Sequence, residues 1–259
     1  KEEQAFLSLP YVDFGARMYN PDWGRWFTQD PLAEKYYSWA PYCYCINNPI
    51  KYVDPNGLDL QLAGTKEEQE MLLAMLQRLT NYKLILHQNG TVTHSIVKTE
   101  NKNSDYQAGN TLLEQLCDQS SDTKTTTISI TDQKSITHPA DENAYNGVGS
   151  NAEIRFNPNE NPSLITQNET SKQVQQERRP AYIGLAHELI HGMHINAGVA
   201  KRKSVTVTPT IQGNGQKYTY IKPIPLEDAI TVGLHGFLTN GPTENSIRKE
   251  HNLNVRLLY

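Results

Sequence analysis

The sequence predicts an α+β protein built in two parts, and three observations carry that reading. Residues 1–58 hold all 3 Trp, 7 of the 14 Tyr and 3 of the 5 Phe of the 259-residue chain. A strong turn run, Asp54-Pro55-Asn56-Gly57-Leu58, closes that aromatic stretch and marks a boundary between residues 1–58 and 59–259. Beyond it, helical and hairpin patterns are segregated instead of alternating, which favours helices plus antiparallel hairpins over a parallel α/β sheet.

The first part reads as short strands and turns. Tyr11–Tyr19 and Gly24–Thr28 flank a turn at Asn20-Pro21-Asp22, and Tyr42–Ile46 and Ile50–Val53 are further strand segments. A stretch this short buries little core alone, so it is expected to belong to a larger β structure. In the second part, Thr65 and Glu68 form a capping box ahead of Met71, Leu72, Met75, Leu76 and Leu79, which share one helical face. Tyr82–His87 and Thr91–Val97 flank Asn89-Gly90, a hairpin signal. Thr111–Cys117 reads as a short helix, Thr125–Thr131 and Lys134–His138 as a strand pair, Asp141–Ser150 as a polar loop and Ala152–Phe156 as a strand. Residues 157–178 are polar and read as a long loop with some helix. Pro180 starts the main helix and Gly198 ends it. Ser204–Thr210 and Lys217–Ile221 flank Gln212-Gly213-Asn214-Gly215 as a second hairpin; Pro225 opens a helix to Leu234, and Glu244–Glu250 is a last short one.

Composition narrows the partners. A net charge of −4 offers no basic surface for nucleic acid. With no run of about 20 apolar residues, no membrane-spanning helix is expected. Three cysteines, Cys43, Cys45 and Cys117, are an odd set for a disulfide framework and are expected as buried free thiols. The chain opens on Lys1 without a leader pattern, so it looks like a piece cut from something longer.

The chemistry sits on the main helix. His187-Glu188-Leu189-Ile190-His191 is an H-E-x-x-H motif, so the two imidazoles project from one face, one turn apart, and can share a Zn²⁺. Glu188, beside them, is placed to act as general base toward a water activated by that metal. An amphipathic helix with two exposed histidines would carry the same five letters, but here Ile183, Leu185, Leu189 and Ile190 surround the Glu with apolar residues. His194 lies on the same face, yet one straight helix cannot readily wrap three ligands around a tetrahedral ion; it reads as a residue behind the metal ligands, a substrate-facing one or a C-terminal cation. Glu227 and Asp228 on the next helix are better third ligands, although acids in a first turn also suit the helix dipole. Arg248, Arg256 and Tyr259 are candidates for holding substrate or an oxyanion, with Tyr259 the catalytic candidate. Arg248 is as readily explained by an ion pair with Glu244 at i,i+4. His235 is substrate-facing or structural.

Two resemblances sharpen this. Asp13-Phe14-Gly15-Ala16-Arg17-Met18-Tyr19, Gly24-Arg25-Trp26-Phe27, Asp30-Pro31-Leu32, Asn47-Asn48-Pro49 and Asp54-Pro55-Asn56-Gly57-Leu58 resemble, in that order, the C-terminal end of an Rhs/YD-repeat core. That resemblance implies a β-cage around a variable C-terminal toxin, with self-cleavage after Leu58 involving Asp30 and Asp54. Second, residues 150–259 resemble the NleD-like effector metallopeptidases. The matching blocks are Ala186-His187-Glu188-Leu189-Ile190-His191, Glu227-Asp228 before Thr231-Val232-Gly233, and Glu244-Asn245 with Arg248, Glu250, Arg256 and Tyr259. This implies a zincin-like fold and zinc endopeptidase activity, with His187 and His191 as ligands, Glu188 as base, and an acid of the Glu227-Asp228 pair, here Glu227, completing the site.

The leading expectation is a polymorphic toxin, made in a bacterial cytoplasm, exported by a type VI-like secretion machinery with its Rhs core cage, and cutting a protein in the target cell. A cognate immunity protein is expected to block it in the producer. Two alternatives are a zinc hydrolase acting on a non-peptide substrate and a non-catalytic binding domain whose metal site is structural.

Overall fold

A computed structural model of the chain describes residues 2–3, 12–13, 18–20, 23, 25–26, 60–95, 106–117, 124–208, 210–213, 216–219, 221–237 and 240–258. The chain divides into two units, residues 1–58 with 118–123 and residues 59–117 with 124–259. The first unit contains strands β1 (Glu2–Glu3), β2 (Val12–Asp13), β3 (Met18–Asn20) and β4 (Arg25–Trp26), joined in that order. The Asn20 carboxamide accepts the Trp23 N–H at 3.1 Å, which closes the expected turn between β3 and β4. Asp30, Asp54, Leu58, Cys43, Cys45 and the segments Tyr42–Ile46 and Ile50–Val53 lie outside the described residues.

The second unit begins with β5 (Leu60–Leu62), whose two leucines are buried, and α1 (Lys66–Gln77). Both halves of the expected capping box form: Thr65 Oγ1 accepts the Glu68 N–H at 3.3 Å, and Glu68 Oε2 accepts the Thr65 N–H at 2.8 Å. Strands β6 (Lys83–Leu86) and β7 (Thr91–Ser95) make the hairpin, with Gly90 at φ 86°. Helix α2 (Gln107–Cys117) starts earlier than its sequence suggests. The reason is not local: the Glu250 carboxylate, far along the chain, accepts the N–H groups of Ala108 and Gly109. Cys117 at its end is buried.

Strands β8 (Thr126–Ile130), β9 (Ile136–Pro139) and β10 (Ala152–Phe156) follow, with one 3₁₀ turn at Glu142–Tyr145. The six-stranded sheet runs β6-β7-β5-β8-β10-β9. Strands β8 and β9 are therefore not the pair the sequence suggests. β10 lies between them, parallel to β8 with Ile154 opposite Ile128, and β8 is also parallel to β5. Burial decides this: the fully buried Ile128 and Ile154 stand side by side in the core, whereas β9 has no buried residue and takes the edge.

Residues 157–178 are not the expected loop with helix. They hold a hairpin, β11 (Ser163–Gln167) and β12 (Val174–Arg178), joined by a turn in which Asn168 Oδ1 accepts the N–H groups of Thr170 and Ser171. Only Leu164 and Thr166 of this hairpin are buried, so its polar sequence masks the strand alternation.

Helix α3 (Ala181–Asn196) passes through the middle of the unit, and 14 of its 16 residues are buried. It is thus a core helix and not a one-sided surface helix. Ile183, Leu185, Leu189 and Ile190 join Leu60, Leu72, Leu76, Ile128 and Phe156 in one apolar cluster. Gly192 brings α3 close to the sheet, since a Cβ there would lie 3.3 Å from Thr126 Cγ2 and 3.5 Å from Ile154 Cδ1. After α3, β13 (Ser204–Val207) pairs with a later strand around an inner hairpin of β14 (Thr210–Gly213) and β15 (Gln216–Thr219). That later strand is β16 (Lys222–Pro225), which leads into α4 (Leu226–Val232). Helix α5 (Glu244–Glu250) and β17 (Val255–Arg256) end the unit, with β17 added to β11. Among the described residues no helix is long and apolar enough to cross a membrane.

Gly198 terminates α3 at φ 71°, and a Cβ on it would stand 2.5 Å from the Gly149 N and 2.7 Å from the Gly147 C. Both obstacles are backbone. Gly198→Ala is therefore expected to cost about 1–3 kcal/mol or more through strain and collision, read as a lower urea midpoint with an unchanged slope.

Candidate active site

His187 and His191, one turn apart on α3, point their rings at each other: the Nε2 atoms are 3.1 Å apart and the ring planes meet at 80°. Asp228 from α4 brings its Oδ1 to 3.2 Å from His191 Nε2. One donor atom from each of these three side chains lies within 4.8 Å of the others. On its far side His187 donates Nδ1–H to Glu244 Oε2 at 3.0 Å, and His191 Nδ1 faces Thr231 Oγ1 at 3.3 Å. Both imidazoles thus turn Nδ1 outward to a partner and Nε2 inward. Two inward nitrogens at this separation need a proton or a metal cation between them, and two imidazoles with a carboxylate are a donor set that fits a metal. The adjoining carboxylates favour positive charge at this point. Burial alone would lower His191, but hydrogen bonds to Asp228 and Glu227 overcome it and push the imidazole up to about 9. Burial pulls His187 down, with the Glu244 contact only partly offsetting it, which keeps that imidazole neutral as a ligand must be.

The two acids on α4 divide. Asp228 joins the histidines, while Glu227 turns to the end of α3. Glu227 Oε1 accepts from His194 Nδ1 at 2.5 Å, and its Oε2 accepts the Lys201 N–H at 2.7 Å. Glu227 Oε1 also stands 3.4 Å from His191 Nδ1, on the face of the ring away from His187 Nε2. Burial raises the Glu227 carboxyl, yet the two histidines hold it at about 2. Of the acid pair, then, the structure brings Asp228 and not Glu227 to the inward nitrogens. His194 is tied to Glu227 in the last turn of α3. His235 is exposed in the turn after α4, and Tyr259 lies outside the described residues.

Glu188 is buried beside this cluster. Its Oε2 accepts from the Thr137 hydroxyl on the edge strand β9 at 2.7 Å, and the same hydroxyl is 3.2 Å from the Glu188 carbonyl. The carboxylate is thus aimed by a neutral donor that leaves its other oxygen open.

Glu244, read from the sequence only as a partner for Arg248 and a matching residue, supports the site directly. It is fully buried, holds His187, and is held in turn by Arg256 Nη1 at 2.8 Å and by Arg248 Nη1 at 3.7 Å. Burial would raise its carboxyl, but Arg256 and His187 keep it well below the usual carboxylate range. Arg248 and Arg256, candidates for substrate, are buried instead around this carboxylate, and Arg248 makes the i,i+4 ion pair expected of it. The available signal was its place four residues before Arg248 in a helix already singled out.

A core helix that presents two histidines and a glutamate, with an acid supplied from the next helix, is the arrangement of a zincin-like metallopeptidase, and its donor set fits zinc. The model of the Peptidase M91 family, described as effector protein, matches residues 93–259, and the chain belongs to that family. Among solved structures, the Clostridium botulinum neurotoxin serotype F light chain is 16% identical with a TM-score of 0.41, over 80% of this chain and 56% of that one. The botulinum neurotoxin serotype C1 light chain protease is also 16% identical, with a TM-score of 0.31 over 62% and 40%. A zinc-free type C light chain scores 0.32 at 16% identity over 49% and 30%. The chain thus spans between 30% and 56% of the length of these structures, and likeness of this degree carries no further inference. A 45-residue stretch is 47% identical to salivary gland surface protein 1 of Aedes aegypti, covering 17% of this chain and 1% of that protein.

Glu244→Gln removes the charge behind His187 while keeping its size. Zinc affinity is expected to fall about 10- to 100-fold, as for other partners that orient a metal-bound imidazole, measured by competition with a chromophoric chelator. An unchanged affinity would remove Glu244 from the site.

Proposed function

We propose that this chain carries a zinc endopeptidase effector domain that cuts a protein inside a target cell. The observation that carries this reading is the convergence of His187 Nε2, His191 Nε2 and Asp228 Oδ1 beside a buried, singly hydrogen-bonded Glu188. His187, His191 and Asp228 hold zinc, with Asp228 taking the place that Glu227 was expected to fill. Zinc, when bound, supplies a Lewis acid that polarises the scissile carbonyl and eases the deprotonation of water. Glu188 takes the proton of the attacking water on its open oxygen and passes it to the leaving amine. Thr137 holds the Glu188 carboxylate in line during both transfers, and Glu244 fixes the His187 tautomer. Glu227 fastens α4 to the end of α3 through His194 and Lys201, so Asp228 reaches the site at a set angle.

Delivery is part of the same proposal. The Rhs-like blocks in residues 13–58 support a domain released from a larger core by a cut after Leu58, with Asp30 and Asp54 taking part. A cell making such an enzyme requires an immunity protein, and the peptidase cleft is the surface it would block. Export by a secretion machinery follows from the same resemblance.

Glu188→Gln should lower turnover by about 100- to 10,000-fold, the usual worth of a general base, while one equivalent of zinc stays bound by elemental analysis. Sequencing of new protein termini in cells exposed to the wild type or this variant names the substrate. Equal toxicity of the two would sink the peptidase reading. Thr137→Val is expected to lower kcat about tenfold or more with little change in KM, because it disturbs the base and not substrate binding. Steady-state kinetics on any cleaved peptide checks it.

A further inference from the structure

Arg179 adds its charge near Glu244 without bonding to it. It lies between β12 and α3, and only 6% of its surface is exposed. Its Nε is buried with no hydrogen-bond partner, and among the described residues no oxygen accepts from the rest of the guanidinium. Burial raises the carboxyls of Glu244 and Glu160, and the charge of Arg179 is among the contacts that outweigh it, yet neither acid is hydrogen-bonded to it. A buried N–H donor is thus left without an acceptor, an arrangement that costs free energy unless a visiting group supplies one.

The position indicates what that group is. The guanidinium rests on Gly184: a Cβ there would lie 3.2 Å from Nε and 3.3 Å from Cζ and Nη2. Gly184 precedes His187, Glu188 and His191 by three, four and seven residues, so it lies on the helix face that carries the site. Arg179 therefore covers that same face one turn nearer the start of α3, packed closely on Gly184. One helical turn is about 5.4 Å, and an extended peptide advances about 3.3 Å per residue. A substrate group on the guanidinium thus belongs to a residue one or two positions from the cleaved bond, not to the scissile carbonyl. A planar fork of N–H donors matches a carboxylate better than any other protein group.

We propose that Arg179 determines specificity by binding the side-chain carboxylate of an Asp or Glu one or two residues from the scissile bond of a polypeptide substrate. This rests on the endopeptidase reading above. The zinc-loaded chain is incubated with a proteome-derived peptide library and the new termini are sequenced. An acidic residue enriched within two positions of the cut is expected. Paired peptides that differ only as Glu against Gln at that position should then differ about 10- to 100-fold in kcat/KM. Arg179→Gln should bring that ratio close to one, and Arg179→Lys should leave an intermediate ratio. If Arg179→Gln does not fold, the wild-type pair decides alone. Equal rates on the two peptides, or an unaltered ratio in Arg179→Gln, overturn the proposal and leave a buried water as the partner of the guanidinium. Cleavage without acidic preference overturns it while leaving the endopeptidase reading intact. No cleavage of any peptide by zinc-loaded protein overturns the endopeptidase reading, and this proposal with it.

Discussion

The carboxylate of Glu244 sits in the interior with none of its surface exposed, and the arrangement of the catalytic half follows from keeping it charged there. An ionised carboxylate in such a place is tolerated only with cations and donors around it. Arg256 comes from β17, Arg248 from its own helix and His187 from α3, so the oxygen pair joins the end of the chain to a helix 57 residues earlier. Arg248 in turn donates Nε–H to the Asn254 carbonyl at 2.6 Å and lies 3.5 Å from Glu177 on β12, which fastens the closing segment to the β11–β12 hairpin. The C-terminal residues thus brace the inward imidazole, and Asn245 repeats the tie by accepting the Arg256 N–H at 2.6 Å.

What the sequence disclosed and what it hid separate along physical lines. Features whose cause is local were legible: the Thr65–Glu68 box, the Gly90 hairpin, Pro180 and Gly198 bounding α3, and the His187–Glu188–His191 spacing. Each depends on residues within one or two turns. The pairing of β8 with β10 and β5 depends on which strands share the core, and nothing near residues 125–138 encodes that. The early start of α2 depends on Glu250, and the role of Glu244 on a histidine 57 residues away. The β11–β12 hairpin escaped notice because one wet strand erases the two-residue alternation on which strand prediction relies.

The choice between Glu227 and Asp228 has the same character. Both acids sit in the first turn of a seven-residue helix, where the dipole favours either. Adjacent helical residues point about 100° apart, so only one of the two can face α3's inward nitrogens while the other faces along the helix. Which one does so is set by the docking of α4. The Lys201 N–H and His194 anchor Glu227, and that anchor turns the shorter Asp228 toward His191. The sequence supplies the pair, and the packing assigns the parts.

The burial of α3 explains why so few groups suffice. A one-sided surface helix would leave its polar face to water, where a glutamate gains little from any one donor and two histidines gain little from one carboxylate. In α3 the face carrying His187, Glu188 and His191 is largely enclosed, and each of these side chains has a specific counterpart: Glu244, Thr137 or Asp228. Low local polarity strengthens each of these contacts and makes an unmatched group expensive. That same rule draws attention to Arg179, which rests on Gly184 of the same face with a buried Nε that no acceptor meets.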